Sequence, residues 1–456
     1  MKGILVSGPA SGVGKTTIAA ALMVALRRRG LVVQPFKCGP DFIDPGHHAL
    51  ICRRPSHNID TWMLPTEVNQ RIFASASRGA DFAVVEGMMG LFDGVQGSSE
   101  EGSSAEIAKL FGLPVLLVVD ASSSARSVAA LVHGFRSFDT KIRVVGVVLN
   151  RVAGADHAAM LVDALCEADP RLWIGWLPHQ KELFLRERYL GLQTSDEGSW
   201  TGGALDLMAS LLERHCPLDQ LLELCQIASP EYNDEWAALS DPVRIGVARD
   251  QAFCFYYQAA LDELRRHGAE IVEFSPLAGA RLPENLDAVY FGGGYPELYA
   301  ERLSNQRDLV SDLRAFAIAG KPIYGECGGL IFLSRDLITK DHAKWPMAGL
   351  LPLSIQMTEN LVRFGYAEVE FLENGLAAKG TALRGHSFHC SKITAEGDIS
   401  KTAVIRYSLS KESEYEEFAA GNVFGSYVHL HFAAAPSFAE RFISLARSAR
   451  ESKVRA

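Results

Sequence analysis

The stretch Lys2-Gly-Ile-Leu-Val-Ser7-Gly8-Pro9-Ala10-Ser11-Gly12-Val13-Gly14-Lys15-Thr16-Thr17 decides the fold. A short apolar run ends at Ser7, and a glycine-rich turn follows. A helix with alanines and leucines at helical spacing then runs over 15–29 and stops at Gly30, a C-cap signal. Strand, glycine turn and helix in that order form a phosphate loop. Glycine lets backbone N–H groups turn inward around phosphate oxygens, and the helix N-terminus adds a favourable dipole. Gly8, Gly12, Gly14, Lys15, Thr16 and Thr17 are therefore the expected nucleotide-phosphate-binding residues, with Lys15 on the β/γ-phosphates and the Thr16 hydroxyl on Mg²⁺, and ATP against GTP left open. The loop is one residue longer than the usual G-x4-G-K-T. No Asn-Lys-x-Asp string that would specify guanine is evident.

Outward from this loop, nearly continuous β-branched runs at 31–36, 81–86, 114–120, 144–150 and 172–177 alternate with helical segments. Runs of this kind belong to parallel strands covered on both faces, in a doubly wound sheet. Helices at 205–216 and 218–227 close this half, and 228–242 reads as a polar linker. A second α/β half opens with VRIGVA at 243–248. Strands at 270–274, 288–291 and 322–324 follow, then a strand-rich region to about Phe432 and a helix over 437–450. The expected fold class is α/β with two domains, an N-terminal P-loop domain over 1–235 and a C-terminal domain over 243–456.

Length and composition agree. A chain of 456 residues with 48% hydrophobic and 22% charged residues is ordinary for a globular protein of two or three domains. A net charge of −9 argues against nucleic acid or an anionic membrane surface as the main partner. The richest apolar runs, 113–119 and 144–149, have strand length and cannot span a bilayer. The eight cysteines include no C-x-x-C pair, so a disulfide framework or zinc site is not expected, and a reduced cytoplasm fits best.

Carboxylates recur at strand ends. Lys37-Cys-Gly-Pro-Asp41-Phe-Ile-Asp44-Pro-Gly-His-His follows one strand, and Glu86-Gly87-Met-Met-Gly90-Leu-Phe-Asp93-Gly94 follows another. Ligands bind at that edge of an open α/β sheet, and hard oxygen donors there suit Mg²⁺. A lone Asp would more simply cap a turn. Four carboxylates at two such edges favour function. The long-spaced loop and the Glu-Gly after a strand resemble dethiobiotin synthetase. The strings KCGPDFIDPGHH, EGMMGLFDG and Asn58-Ile-Asp60-Thr-Trp62-Met resemble the cobyrinic acid a,c-diamide synthase family.

In the second half, Gly325-Glu326-Cys327-Gly328-Gly329 lies between an apolar strand and a helix, G-x-C-x-G in place of G-x-S-x-G. The helix N-terminus is expected to favour thiolate at Cys327. Gly293 and Gly294 of Phe291-Gly-Gly-Gly-Tyr-Pro, with Gly328, are candidates for an oxyanion hole. His429 in Ser426-Tyr-Val-His-Leu-His431 is the candidate base. This half resembles the class I glutamine amidotransferases. The resemblance implies that Cys327 attacks the glutamine side-chain amide and releases ammonia. Those domains usually carry Glu two residues after the catalytic His. Here the position is His431, which leaves a Cys–His dyad or a carboxylate from elsewhere. Arg384-Gly-His386-Ser-Phe-His389-Cys-Ser resembles the GHxFHxS string of the diamide synthase family. His386 and His389 could meet substrate carboxylates or simply alternate along a strand.

The resemblance spans residues 3–432. It implies a ligase that transfers the γ-phosphoryl group of ATP to carboxylates of cobyrinic acid. Ammonia from L-glutamine then displaces phosphate at the a and c acetates. Thr16, Asp41 and Glu86 would hold Mg²⁺, and Asp41, Asp44 and Asp93 would serve the substrate and intermediate. An internal passage for ammonia is expected, and a homodimer is left open. Hydrogenobyrinic acid and nickel sirohydrochlorin remain alternative substrates, with cobyric acid synthase activity a more distant option. A P-loop switch ATPase with an inert second domain is the rival from another class. The absence of a second lysine near Ala10 counts against it.

Overall fold

A computed structural model describes all residues except 181–186, 189–190, 193–201, 230–240, 280, 411 and 456. The expected linker at 228–242 thus lies largely outside the described residues. The chain divides into two compact units, Met1–Asp234 and Glu235–Ala456.

The first unit is built on seven strands: β1 (Lys2–Ser7), β2 (Val33–Cys38), β3 (His57–Ile59), β4 (Phe82–Glu86), β5 (Val115–Asp120), β6 (Val144–Val152) and β7 (Trp173–Pro178). They lie in the order β3-β2-β4-β1-β5-β6-β7, and every pairing is parallel. The period of two sorts side chains onto two apolar layers. Ile4, Val6, Val84, Leu116 and Val118 pack against α1 (Lys15–Arg28) and the helix Gly202–His215. Leu5, Val85, Leu117, Val119 and Leu149 pack on the other face, with Phe73, Ile107, Val132 and Leu161. Burial on both faces is why these strands carry continuous apolar runs.

The helix α1 stops where its sequence signals. Gly30 has φ 80°, its N–H bonds Arg27 O at 2.9 Å, and the Leu31 N–H reaches Leu26 O at 3.3 Å. That is a left-handed glycine cap. Past the end of β2, α2 spans Ile43–Cys52, so Asp44-Pro45-Gly46 forms its first turn. Proline is tolerated there because the first helical N–H groups have no intrahelical partner.

The second unit carries a ten-stranded sheet. Its order is Ala269–Phe274, Val243–Ala248, Ala288–Phe291, Ile323–Glu326, Val423–Ser426, Ser413–Ala420, Ser400–Tyr407, Arg363–Phe371, Ala382–His389 and His429–Leu430. The first five strands are parallel and the rest antiparallel. Among the described residues, no helix is long and apolar enough to cross a membrane.

Candidate active sites

In the first unit the loop 8–14 joins β1 to α1. Gly14 has φ 99°, and a Cβ there would sit 2.2 Å from Asn150 Nδ2, so only glycine fits. Lys15 Nζ donates to Ala10 O at 2.8 Å and to Met89 O at 2.6 Å. The lysine thus clasps its own loop to the segment after β4. Burial, with Lys37 adding to it, pulls its pKa down to about 8. Gly8 and Gly12 lie in the loop, and Thr17 stands partly exposed on the first turn of α1.

Glu86, the fully buried last residue of β4, is the hub of this site. Its Oε1 accepts from Thr16 Oγ1 at 2.7 Å and from Lys37 Nζ at 3.1 Å, and its Oε2 meets His48 Nε2 at 2.7 Å. Burial alone would raise its pKa. Lys37 and His48 outweigh that and hold the carboxyl well below the usual range. Lys37 is itself buried, hydrogen-bonded to Asp44 and 3.6 Å from Asp41. Burial opposes its charge, but Asp44, Glu86 and Asp41 hold it protonated, well above the ordinary lysine value. Asp41 Oδ1 also accepts the N–H groups of Ile43 at 2.8 Å and Asp44 at 3.1 Å. Burial, then the neighbouring Asp44, push its pKa up. Asp93 stands apart from this cluster and receives the Gly90 N–H at 2.8 Å.

The structure thus gathers Lys15, Thr16, Asp41, Asp44 and Glu86. It adds Lys37 and His48, to which sequence reasoning gave no role although both lie in the KCGPDFIDPGHH string. The signal available for His48 was helical spacing: it sits four residues after Asp44 on α2. The donors suit Mg²⁺. Neighbouring ligands of an octahedral ion at ~2.1 Å stand roughly 3 Å apart, and the Thr16 and Glu86 oxygens are 2.7 Å apart. Among the described residues, no group of three or more His, Cys, Asp or Glu could hold a metal by itself. A nucleotide phosphate would have to complete the shell.

In the second unit, Cys327 follows the strand Ile323–Glu326 and precedes the helix Gly328–Leu333, with φ 48° and ψ −97°. A positive φ at a non-glycine residue marks the strained turn expected of a nucleophile elbow. The turn carrying Gly293 and Gly294 presses against the elbow: a Cβ on Gly328 would lie 2.9 Å from Gly294 N. A Cβ on Gly293 would lie 2.5 Å from His429 Cε1 and 3.2 Å from its Nε2. The elbow, the glycine turn and His429 therefore converge.

Burial works against the thiolate expected from the helix N-terminus. Burial pushes the Cys327 thiol up to about 12, helped by Glu297, and the Gly328 N–H does not offset it. The thiol rests 3.9 Å from Phe388 O. That strand holds His386 and His389, and His386 pairs in register with His429. Both imidazoles are buried and held neutral. Burial pushes His386 down to about 3 and His389 to about 4, so neither offers charge to a carboxylate near neutral pH.

Glu326 had no assigned role. It is buried and lies beside His429, with its Oε2 3.4 Å from Nδ1. The one sequence signal was a carboxylate in a strand otherwise built for burial. His431, at the position where related domains carry Glu, accepts the Ala433 N–H on its Nδ1 at 3.0 Å and stacks on Tyr257.

Two family models match the chain. Residues 4–188 match the CobQ/CobB/MinD/ParA nucleotide binding domain, and 244–437 match the CobB/CobQ-like glutamine amidotransferase domain. The chain is thus a nucleotide-binding unit joined to a glutamine amidotransferase unit. A cobyrinate a,c-diamide synthase of Syntrophotalea carbinolica is 41% identical over 97% of this chain and 98% of its own length. Proteins of the same name from Dehalococcoides mccartyi and Priestia megaterium are 40% and 37% identical over 97% and 99% of this chain, with 98% of each relative covered. The chain belongs to the cobyrinate a,c-diamide synthase family.

Proposed function

We propose that the protein amidates the a and c acetate carboxylates of cobyrinic acid, using ATP, Mg²⁺ and glutamine, in cobalamin biosynthesis. One observation carries the reading. A single chain holds a phosphate loop against a buried carboxylate and a strained cysteine elbow against a histidine, and it aligns throughout with relatives of that name.

A carboxylate is a poor electrophile because its oxygens share the charge and neither leaves readily. Phosphoryl transfer from ATP turns one oxygen into a leaving group, and such transfer depends mainly on positioning and charge neutralisation. Lys15 and Lys37 supply fixed positive charge at the end of the sheet. Thr16 and Glu86 are the residues that would hold Mg²⁺, which neutralises phosphate charge when bound. Asp41 and Asp44 keep Lys37 placed, and Asp93 shapes the loop near Lys15. Gly8, Gly12 and Gly14 expose loop N–H groups to phosphate.

In the second unit, Cys327 Sγ attacks the glutamine amide carbon as its proton passes to His429. The C–N bond breaks, the proton leaves with nitrogen as ammonia, and a glutamyl thioester remains for water to hydrolyse. Burial raises the thiol pKa, which favours proton transfer in step with attack. The N–H groups around Gly293, Gly294 and Gly328 would receive the developing oxyanion. Ammonia then displaces phosphate from the acyl phosphate. Product mass after incubation with cobyrinic acid tests the reading, as set out at the end of the Discussion.

A further inference from the structure

We infer that Glu326 is the positioning residue for His429, replacing the carboxylate that related domains carry two residues after the histidine. This deepens the amidotransferase reading and rests on it. Glu326 ends the strand Ile323–Glu326 and pairs in parallel register with Ser426, three residues before His429. The nucleophile and the base therefore lie just past the ends of adjacent strands. The residue beneath the nucleophile can reach the far side of the imidazole.

The contacts of Glu326 with the described residues hold it in that place. Its Oε2 lies 3.4 Å from His429 Nδ1 and accepts the Tyr290 hydroxyl at 2.8 Å. Its Oε1 accepts the Tyr324 hydroxyl at 2.7 Å and the Leu430 N–H at 3.2 Å. Tyr290 and Tyr324 stack with ring centroids 5.3 Å apart, and Tyr324 is fully buried. Burial, then the Glu326 charge, keeps both phenols protonated as donors.

The chemistry follows from the donor inventory. A carboxylate that receives two phenol O–H groups and an N–H acts as an acceptor, so the imidazole proton facing it sits on Nδ1 and Nε2 carries the lone pair. That tautomer can take the Cys327 proton. The imidazolium formed then faces Glu326, and the 3.4 Å contact should tighten as charge develops. His431 is placed otherwise, bonded to the Ala433 N–H and stacked on Tyr257.

The test is Glu326→Gln and Glu326→Asp in the full-length protein, with glutaminase and ammonia-driven synthesis read separately. A side-chain amide can present N–H to Nδ1 and impose the wrong tautomer. Glu326→Gln should therefore lower glutaminase kcat by about 100-fold or more, with KM for glutamine within about threefold. Ammonia-driven synthesis should persist, and Glu326→Asp should recover about tenfold or more of the lost kcat. A Gln variant with kcat within about threefold of the parent, or one altered in KM alone, overturns the assignment.

Should Glu326→Gln fail to fold, the unsubstituted protein decides. The ¹⁵N shifts of its His429, assigned by comparison with His429→Asn, should show the proton on Nδ1, and a proton on Nε2 overturns the assignment. An unsubstituted protein that hydrolyses no glutamine would sink the amidotransferase reading, while the tautomer would still judge the geometry.

Discussion

Glu86 meets three unlike donors, Thr16, Lys37 and His48, and each contact has its own consequence. Removing its charge leaves Lys37 with Asp41 and Asp44 and takes a charged oxygen from the proposed Mg²⁺ site. Glu86→Gln or Lys15→Ala should cut amide synthesis by about 1000-fold while sparing glutaminase, measured in parallel on one preparation. Normal product yield from either variant would sink the phosphate site. At Cys327 the pH sign is fixed by burial. A thiol pushed up to about 12 is protonated in the resting protein near neutral pH. Its alkylation by iodoacetamide should be slow at pH 7 and rise without a plateau to pH 9. A plateau below pH 8 would mean a pre-formed thiolate. Lys15, Thr16, Cys327 and His429 stand out as candidates in the sequence because each sits in a motif of recognisable spacing. Lys37, His48 and Glu326 do not, since each contacts a neighbour from another element. No local spacing records that.

Secondary elements were legible where burial makes their pattern extreme. The strands of the first sheet are apolar on both faces, and the reading found six of its seven. The edge strand His57–Ile59 has three residues, too few to show a period. The helix α2 was not read, because Pro45 and Gly46 in its first turn are turn residues as well as tolerable first-turn residues. Glycine at the start of α1 is a requirement of the element. Gly14→Ala forces a Cβ onto Asn150 Nδ2 and a side chain into φ 99°. It should cost about 1–3 kcal/mol of stability and abolish binding of a non-hydrolysable ATP analogue. Thermal unfolding and calorimetry would show both. Unchanged binding would mean that the loop does not hold phosphate.

At the scale of the molecule, the two halves were legible because each opens with its own apolar strand and carries its own motif. The long antiparallel extension of the second sheet was read only as strand-rich. Its order depends on pairings between distant segments, such as Ala382–His389 with His429–Leu430. Two chemistries in two units predict separable losses. Cys327→Ala should abolish glutamine-dependent synthesis and leave ammonia-dependent synthesis within about threefold. Loss of both would count against separate sites. Chelation of Mg²⁺ should stop synthesis with either nitrogen source, and undiminished turnover would refute the metal role.

The central claim is that activated carboxylates of a corrinoid become amides. The direct measurement is mass spectrometry of a reaction holding ATP, Mg²⁺, glutamine and cobyrinic acid, with hydrogenobyrinic acid and nickel sirohydrochlorin in parallel. Each amidation replaces OH by NH₂ and lowers the mass by about one unit, through acyl phosphate formation and aminolysis. Two successive shifts on cobyrinic acid, dependent on ATP and glutamine, are the predicted result. No shift on cobyrinic acid while ATP is still hydrolysed would contradict the account.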